Sequence, residues 1–323
     1  MTRNLIFCFD GTSNDPADAS QDETRSGGLE DSNISNVLKL HLMFGGDLKD
    51  GNAHRIGQQS LYYSGVGTYG SKLKRIFNAG LALTDVGRII DAALADLEQH
   101  YIAGDRIFVF GFSRGAAIAR RFCSVLSKTV GHKQKRIKLL GVFDTVASIG
   151  MPDLDVDDRP ESDVIFEDHY IAPNIQQAIN LVSVDDKRKA FQPTLMNAED
   201  RVTEVWFAGA HSDVGGGYRR DGLSDNALRF MMDEFDHRKT GLIKIAPTEI
   251  KFDKIMADKD DPEIDLDDVI VEPNIFGISH EQSRPWPISE FTLYDRSVVV
   301  LSRNKVSDLP PLVHHSVAER IYG

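Results

Sequence analysis

Short unbroken apolar runs punctuate the chain, and each closes on a glycine or an aspartate. Leu5-Ile6-Phe7-Cys8-Phe9 ends at Asp10-Gly11-Thr12, and 59–63 ends at Ser64-Gly65-Val66-Gly67. Residues 106–110 end at Gly111-Phe112-Ser113, 138–143 at Asp144, and 202–208 at Gly209. A strand with one wet face alternates apolar and polar residues. These runs do not alternate, so they are expected to be buried on both faces, as in a parallel sheet. Between them the apolar spacing turns helical. Residues 85–99 place Val86, Ile89, Ile90, Ala93, Leu94 and Leu97 on one face, and 114–126 and 226–235 predict two further helices. The alternation predicts an α/β fold: a mostly parallel, doubly wound sheet with helices on both faces.

Composition narrows this picture without changing it. Hydrophobic residues make up 41% and charged residues 27% of 323 positions, which suits a chain with a sizeable core. It is read as one domain over 1–323, with cap-like insertions at about 14–58, 152–172 and 240–287. The stretches 14–31, 152–168 and 258–268 within them are polar or acidic. The acidic run lacks the glycine and terminal glutamate of a calcium loop. A net charge of −12 argues against binding nucleic acid through phosphate neutralisation. Cys8 and Cys123 are too few for a disulfide framework and fit a reducing compartment. The N-terminal apolar stretch is too short for a signal peptide, and no run of eighteen apolar residues suggests a transmembrane segment. The expectation is a cytoplasmic chain, exported only by a dedicated system that reads the folded protein or a partner.

The chemistry centres on Gly111-Phe112-Ser113-Arg114-Gly115, a G-x-S-x-G match. The bare pattern arises by chance in about one chain in ten of this length. Its setting is more specific: a buried-strand run comes directly before it and a small-residue helix directly after, the strand–turn–helix context of a nucleophile elbow. Ser113 is then held at a sharp bend above a helix N-terminus, where the Arg114 N–H can donate to a developing oxyanion. The alternative is an ordinary Gly-Ser turn.

A serine hydroxyl needs a base, and the base needs an orienting acid. Asp144 closes the next predicted strand. His211 follows another strand and opens a glycine-rich run, Ser212-Asp213-Val214-Gly215-Gly216-Gly217. Strand C-terminal ends line the ligand crevice of an open α/β sheet, so Ser113, Asp144 and His211 are expected to converge there. Asp213 is the second candidate acid and His315 the second candidate base. The Gly11–Thr12 turn is a candidate second oxyanion donor, with Asp10 bracing it; a plain tight turn is the competing reading. A phosphatase of the aspartate-nucleophile class is disfavoured, because Cys8 stands where its first aspartate would be. Two rival functions stay open. One is a metal-assisted hydrolase using Asp10, Asp144 and Asp213, although no metal and no cofactor is expected. The other is a non-catalytic interaction module on the same scaffold. Tyr62, Tyr63, Trp206 and Trp286 are read as packing residues.

Taken together, several blocks resemble the α/β-hydrolase domain of type VI secretion phospholipase effectors and related uncharacterised bacterial and fungal proteins. They are Phe9-Asp10-Gly11-Thr12, 62–68, 111–116, 142–146, Asp185-Asp186-Lys187-Arg188 with Phe191 and Pro193, 211–217, 222–225 and His315-Ser316-Val317. They span nearly the whole chain in order. The resemblance implies a serine hydrolase of carboxylic esters, with phospholipid the best-known substrate class and an acyl-enzyme on the way. It places the nucleophile on Ser113, the acid on Asp144 and the base on His211. It also implies a secretion-apparatus or immunity-protein partner. The dedicated effectors carry a long membrane-engaging region, and no amphipathic anchor of useful length is expected after the His315 block.

Overall fold

The computed structural model describes residues 2–11, 20–23, 29–32, 34–48, 52–55, 57–65, 79–129, 135–147, 169–218, 222–252, 264–280, 289 and 293–322. Thr12, Trp286, the acidic stretch 152–168 and the run 258–262 lie outside them.

Twelve strands are present among the described residues: β1 Asn4–Phe9, β2 Ser20–Glu23, β3 Leu29–Ser32, β4 Asn52–Arg55, β5 Gln58–Tyr63, β6 Arg106–Phe112, β7 Ile137–Phe143, β8 Ala178–Ser183, β9 Val202–Phe207, β10 Val300–Ser302, β11 Lys305–Ser307 and β12 Leu312–Val313. The helices are α1 Asn36–Met43, α2 Ala79–His100, α3 Ser113–Lys128, α4 His211–Gly215, α5 Leu223–His237, α6 Leu266–Val269 and α7 His315–Tyr322. Eight strands form one sheet in the order β12-β9-β8-β7-β6-β1-β5-β4. Every pairing in it is parallel except the edge pair of β4 with β5.

The unbroken apolar runs bury both faces, as their lack of alternation requires. Leu5, Phe7 and Phe9 of β1 point into a core that α2 and α3 cover, through Ile89, Ala93, Ile118 and Phe122. Ile6 and Cys8 point into the opposite core, which α1 and α5 cover, through Val37, Leu40, Ala227 and Met231. The chain therefore leaves β1 toward one face and its neighbour β6 toward the other. That divergence opens a crevice at the carboxyl ends of these two strands, the ligand position of a doubly wound sheet.

Helix α1 and strand β8 are among the elements that escaped the sequence pattern. Helix α1 falls in the expected insertion 14–58, yet all eight of its residues are buried against the sheet. Its polar side chains carry their own partners: Lys39 reaches Asp225 at 2.9 Å, His41 reaches Ser60 at 2.8 Å, and Asn36 donates to Val214 O and Ser224 O. Pairing removes the cost of burying them, and it erases the amphipathic stripe. Strand β8 is broken in sequence by Asn180, whose side-chain amide donates to Glu204 at 2.8 Å. The described parts of the expected insertion 240–287 also reach the core, through Leu242, Ile264 and Val269.

Candidate active site

The elbow forms where β6 hands over to α3. Phe112 is still extended, whereas Ser113 has φ of 57°, a left-handed conformation that is uncommon for a residue with a Cβ. The turn closes only because its flanking glycines are bare. A Cβ on Gly115 would collide with the carbonyls of Phe9 and Asp10, and one on Gly111 would lie 2.6 Å from Ala116 Cα. The same absence of side chains lets β1 lie directly beside the start of α3. Gly115→Ala is therefore expected to destabilise the fold by about 1–3 kcal/mol, the usual cost of overpacking, read as a lower midpoint in thermal unfolding. An unchanged midpoint would mean that β1 does not press against the elbow.

Asp144 follows β7 directly and also has positive φ, 37°. Its backbone N–H bonds Leu181 O at 2.7 Å, and Val146 N–H bonds Ser113 O at 3.1 Å, tying the acid's loop to the elbow. His211 begins α4 after β9. Its Nδ1 lies 2.5 Å from Asp144 Oδ2, with both residues buried. Its Nε2 is buried and meets no hydrogen-bond partner among the described residues. The ring packs against Phe112, the residue before Ser113, at 4.7 Å between centroids, and meets Phe191 edge-on at 5.0 Å. The imidazole is thus fixed through one nitrogen beside the elbow while the other is left unpaired.

Several groups hold this pair that sequence reasoning did not single out. Ser183 donates to Asp144 through its N–H at 3.0 Å and its hydroxyl at 3.3 Å. Arg296, fully buried, donates to both carboxylate oxygens at 2.7 and 3.0 Å, and also to Ser183 O and to Phe191 O. Asp186 accepts the His211 N–H at 3.2 Å and is clamped by Arg188, whose guanidinium lies 3.5 Å from the Phe191 ring centre. Asp186, Arg188 and Phe191 lay in a block that the resemblance had matched. Arg296 was not singled out in the sequence, although the apolar run Val298-Val299-Val300-Leu301 begins two residues after it.

Electrostatics follow from this packing. Burial opposes the charge on Asp144, but the Arg296 guanidinium and the His211 hydrogen bond outweigh it and hold the carboxyl well below its usual range. Burial pushes the His211 pKa below its ordinary value against the pull of Asp144 and Asp186. The imidazole is then neutral at neutral pH, the form that can accept a proton. Burial, with Arg188 nearby, lowers Arg114 to about 10, so it stays charged. Among the described residues no carboxylate pairs with Arg114.

The remaining sequence candidates have other places. The Asp10 carboxylate accepts bonds from Gly11 N–H, Ser35 Oγ and Tyr62 OH, at 2.6, 2.6 and 2.5 Å. It braces the buried Gly11 turn against α1 and β5. Asp213 accepts from Ala210 N–H at 2.8 Å, and it lies 2.6 Å from His280 Nδ1, whose ring stacks on Tyr218. It anchors the turn that carries His211. His315 is exposed on α7, where its Nδ1 lies 3.1 Å from Glu319, and it is not among the groups around Asp144. Asp10, Asp144 and Asp213 each serve a separate set of donors, and among the described residues no group of three or more His, Cys, Asp or Glu is arranged to hold a metal ion. Trp206 is buried, as expected of a packing residue.

Comparison with known proteins places this geometry in context. A family model described as the catalytic domain of Tle1-like type VI secretion phospholipase effectors matches residues 3–132 and 122–234. An uncharacterized protein of Saccharomyces cerevisiae is 27% identical over 139 residues, covering 39% of this chain and 17% of that protein. Among solved structures, an uncharacterized protein from Pseudomonas aeruginosa aligns with TM-score 0.45 and 18% identity, over 77% of this chain and 47% of its own. The Tle1 effector bound to the VgrG spike aligns with TM-score 0.39 and 22% identity, over 69% and 52%. Esterase 2 of Thermogutta terrifontis aligns with TM-score 0.42 and 14% identity, over 75% and 85%. The chain thus spans a small part of the yeast relative and about half of the first two solved structures.

Proposed function

This chain belongs to the family of Tle1-like phospholipase effector catalytic domains, and from that premise and the site geometry we propose a Ser113–His211–Asp144 triad that cleaves acyl esters through an acyl-enzyme. The lipolytic, serine-esterase type of activity, the residue roles and the phospholipid substrate are all our reading, supported by the family match and the site.

Ser113 Oγ attacks the ester carbonyl, and His211 Nε2 takes its proton. Asp144 holds Nδ1–H and stabilises the imidazolium that forms. The oxyanion receives the Arg114 N–H at the start of α3, where the helix dipole adds positive potential; the Gly11 N–H is engaged by the Asp10 carboxylate. His211 returns the proton to the leaving alcohol. Water, deprotonated by the same nitrogen, then releases the acyl group. The observation that carries the reading is the His211 ring itself, 2.5 Å from Asp144 at Nδ1, without a hydrogen-bond partner at Nε2 among the described residues, and packed on Phe112, the residue before Ser113. A charged Arg114 next to the nucleophile favours an ester that bears an anionic phosphate.

The test is the pH dependence of fluorophosphonate labelling, with the adduct located by peptide mass spectrometry. Only neutral His211 activates the serine, so the labelling rate is expected to rise with pH. Burial lowers the histidine, so the midpoint of that rise falls below pH 6.5, the ordinary histidine value. An adduct on another residue, or no adduct in the folded protein, overturns the reading. Delivery through a secretion apparatus is the corresponding proposal for the chain's biology. No helix among the described residues is long and apolar enough to cross a membrane.

A further inference from the structure

The feature left unexplained by a three-residue mechanism is Arg296. A triad aspartate needs only to accept the imidazole N–H, and donors such as Ser183 can satisfy its remaining lone pairs. Here a fully buried guanidinium takes both oxygens of Asp144 in a two-point grip and extends to the carbonyls of Ser183 and Phe191. Burying an arginine costs several kcal/mol unless its charge is matched. The matching charge is the acid of the candidate triad.

We propose that Arg296 is a positioning residue that sets the net charge of the buried cluster to zero in its reactive form, and so holds His211 neutral and ready to accept the serine proton. The proposal rests on the hydrolase reading and goes beyond it.

With the imidazole neutral, Arg296 carries +1 and Asp144 −1, which sum to zero. During attack the proton passes from Ser113 to His211, and the negative charge appears on the substrate oxygen. The cluster then holds two positive and two negative charges, and the sum stays zero. Without Arg296 the same resting state holds one uncompensated negative charge in a site shielded from water. Burial penalises that state and favours keeping a proton on the Asp144–His211 pair. The other charges facing this pair do not substitute for Arg296. Asp186, which accepts the His211 backbone N–H, is paired with Arg188, whose own charge also lowers the His211 pKa but which makes no bond to Asp144 among the described residues. Arg114 lies at the start of α3 beside Arg188, and the structure gives it no bond to Asp144. Arg296 is the charged partner that reaches both oxygens of Asp144 among the described residues.

The test compares Arg296→Met, Arg296→Gln and Arg296→Lys with the wild-type chain in two measurements. One is the His211 imidazole titration by NMR, assigned by the signal lost in His211→Ala. The other is the pH dependence of fluorophosphonate labelling. The titration does not need an active enzyme, so a failure of the hydrolase reading, seen as an unlabelled wild type, stays distinct from a failure of this proposal. Met and Gln remove the charge, and Gln keeps donors for the carbonyls. Both are expected to raise the His211 midpoint, and the midpoint of the labelling rise, by about one pH unit or more, the shift typical of losing an adjacent charge. Lys keeps the charge and is expected to titrate near wild type. An unmoved midpoint in a folded Met or Gln variant overturns the proposal. If Met and Gln fail to fold while Lys folds and titrates as wild type, the charge role stands. If all three fail to fold, or Lys titrates like the uncharged variants, Arg296 is scaffold only and the proposal fails.

Discussion

Ser113→Ala is expected to lower kcat on a short-chain p-nitrophenyl ester by on the order of 10⁴- to 10⁶-fold while leaving the protein folded, as losses of triad members do on other folds. The magnitude follows from what the side chain supplies. Without the hydroxyl there is no acyl-enzyme, and water must attack directly, helped only by the oxyanion donors and the binding of the ester. Folding is spared because alanine meets the same backbone requirement at φ of 57° as serine does, and because no described element hydrogen-bonds through the Ser113 hydroxyl. Circular dichroism and thermal unfolding check the fold, and stopped-assay kinetics check the rate. Turnover within tenfold of wild type, by a sample free of contaminating esterase, would falsify the nucleophile assignment.

The second large effect separates two histidines. His211→Ala is expected to cost about 10⁴-fold or more in kcat, since the serine then lacks both its base and its acid. His315→Ala is expected to stay within about twofold of wild type, because an exposed surface pair contributes little. The His211 variant should still fold, because Asp144 keeps Arg296 and Ser183 as partners after the imidazole is gone. Steady-state kinetics on both variants decide the matter. A dead His315 variant beside an active His211 variant would reverse the assignment.

Much of the scaffold was legible because two-sided burial leaves a strong imprint. β1, β6 and β7 read as apolar runs, and the residue closing each is where the site begins. The elbow was legible for a different reason: its glycines are required by contact with neighbouring backbone, so the demand is local and visible. Elements whose burial is polar were not legible. α1 buries Asn36, Lys39 and His41, and β8 buries Asn180, each bonded to a side chain or carbonyl 19 or more positions away that no local pattern reveals. The site divides along the same line. Ser113, Asp144 and His211 each close a readable strand. Ser183 ends the unread β8 and Asp186 follows it. Arg296 lies 152 positions from Asp144, so only the folded chain brings the two together. The roles offered to Asp213 and His315 competed well in sequence because strand ends and late histidines are plausible places for them. Geometry gives Asp213 the turn beneath His211 and gives His315 an exposed helix face.

The order in which these groups leave the ribosome gives the late position of Arg296 a meaning of its own. A growing polypeptide emits the serine, the carboxylate and the imidazole well before residue 296, and before β12 seals the sheet against β9. Until that guanidinium arrives, burying the Asp144 carboxylate would leave it without the cation that grips it in the folded chain. The polar cluster around Asp144 is therefore a late product of synthesis, complete only when residue 296 has joined it.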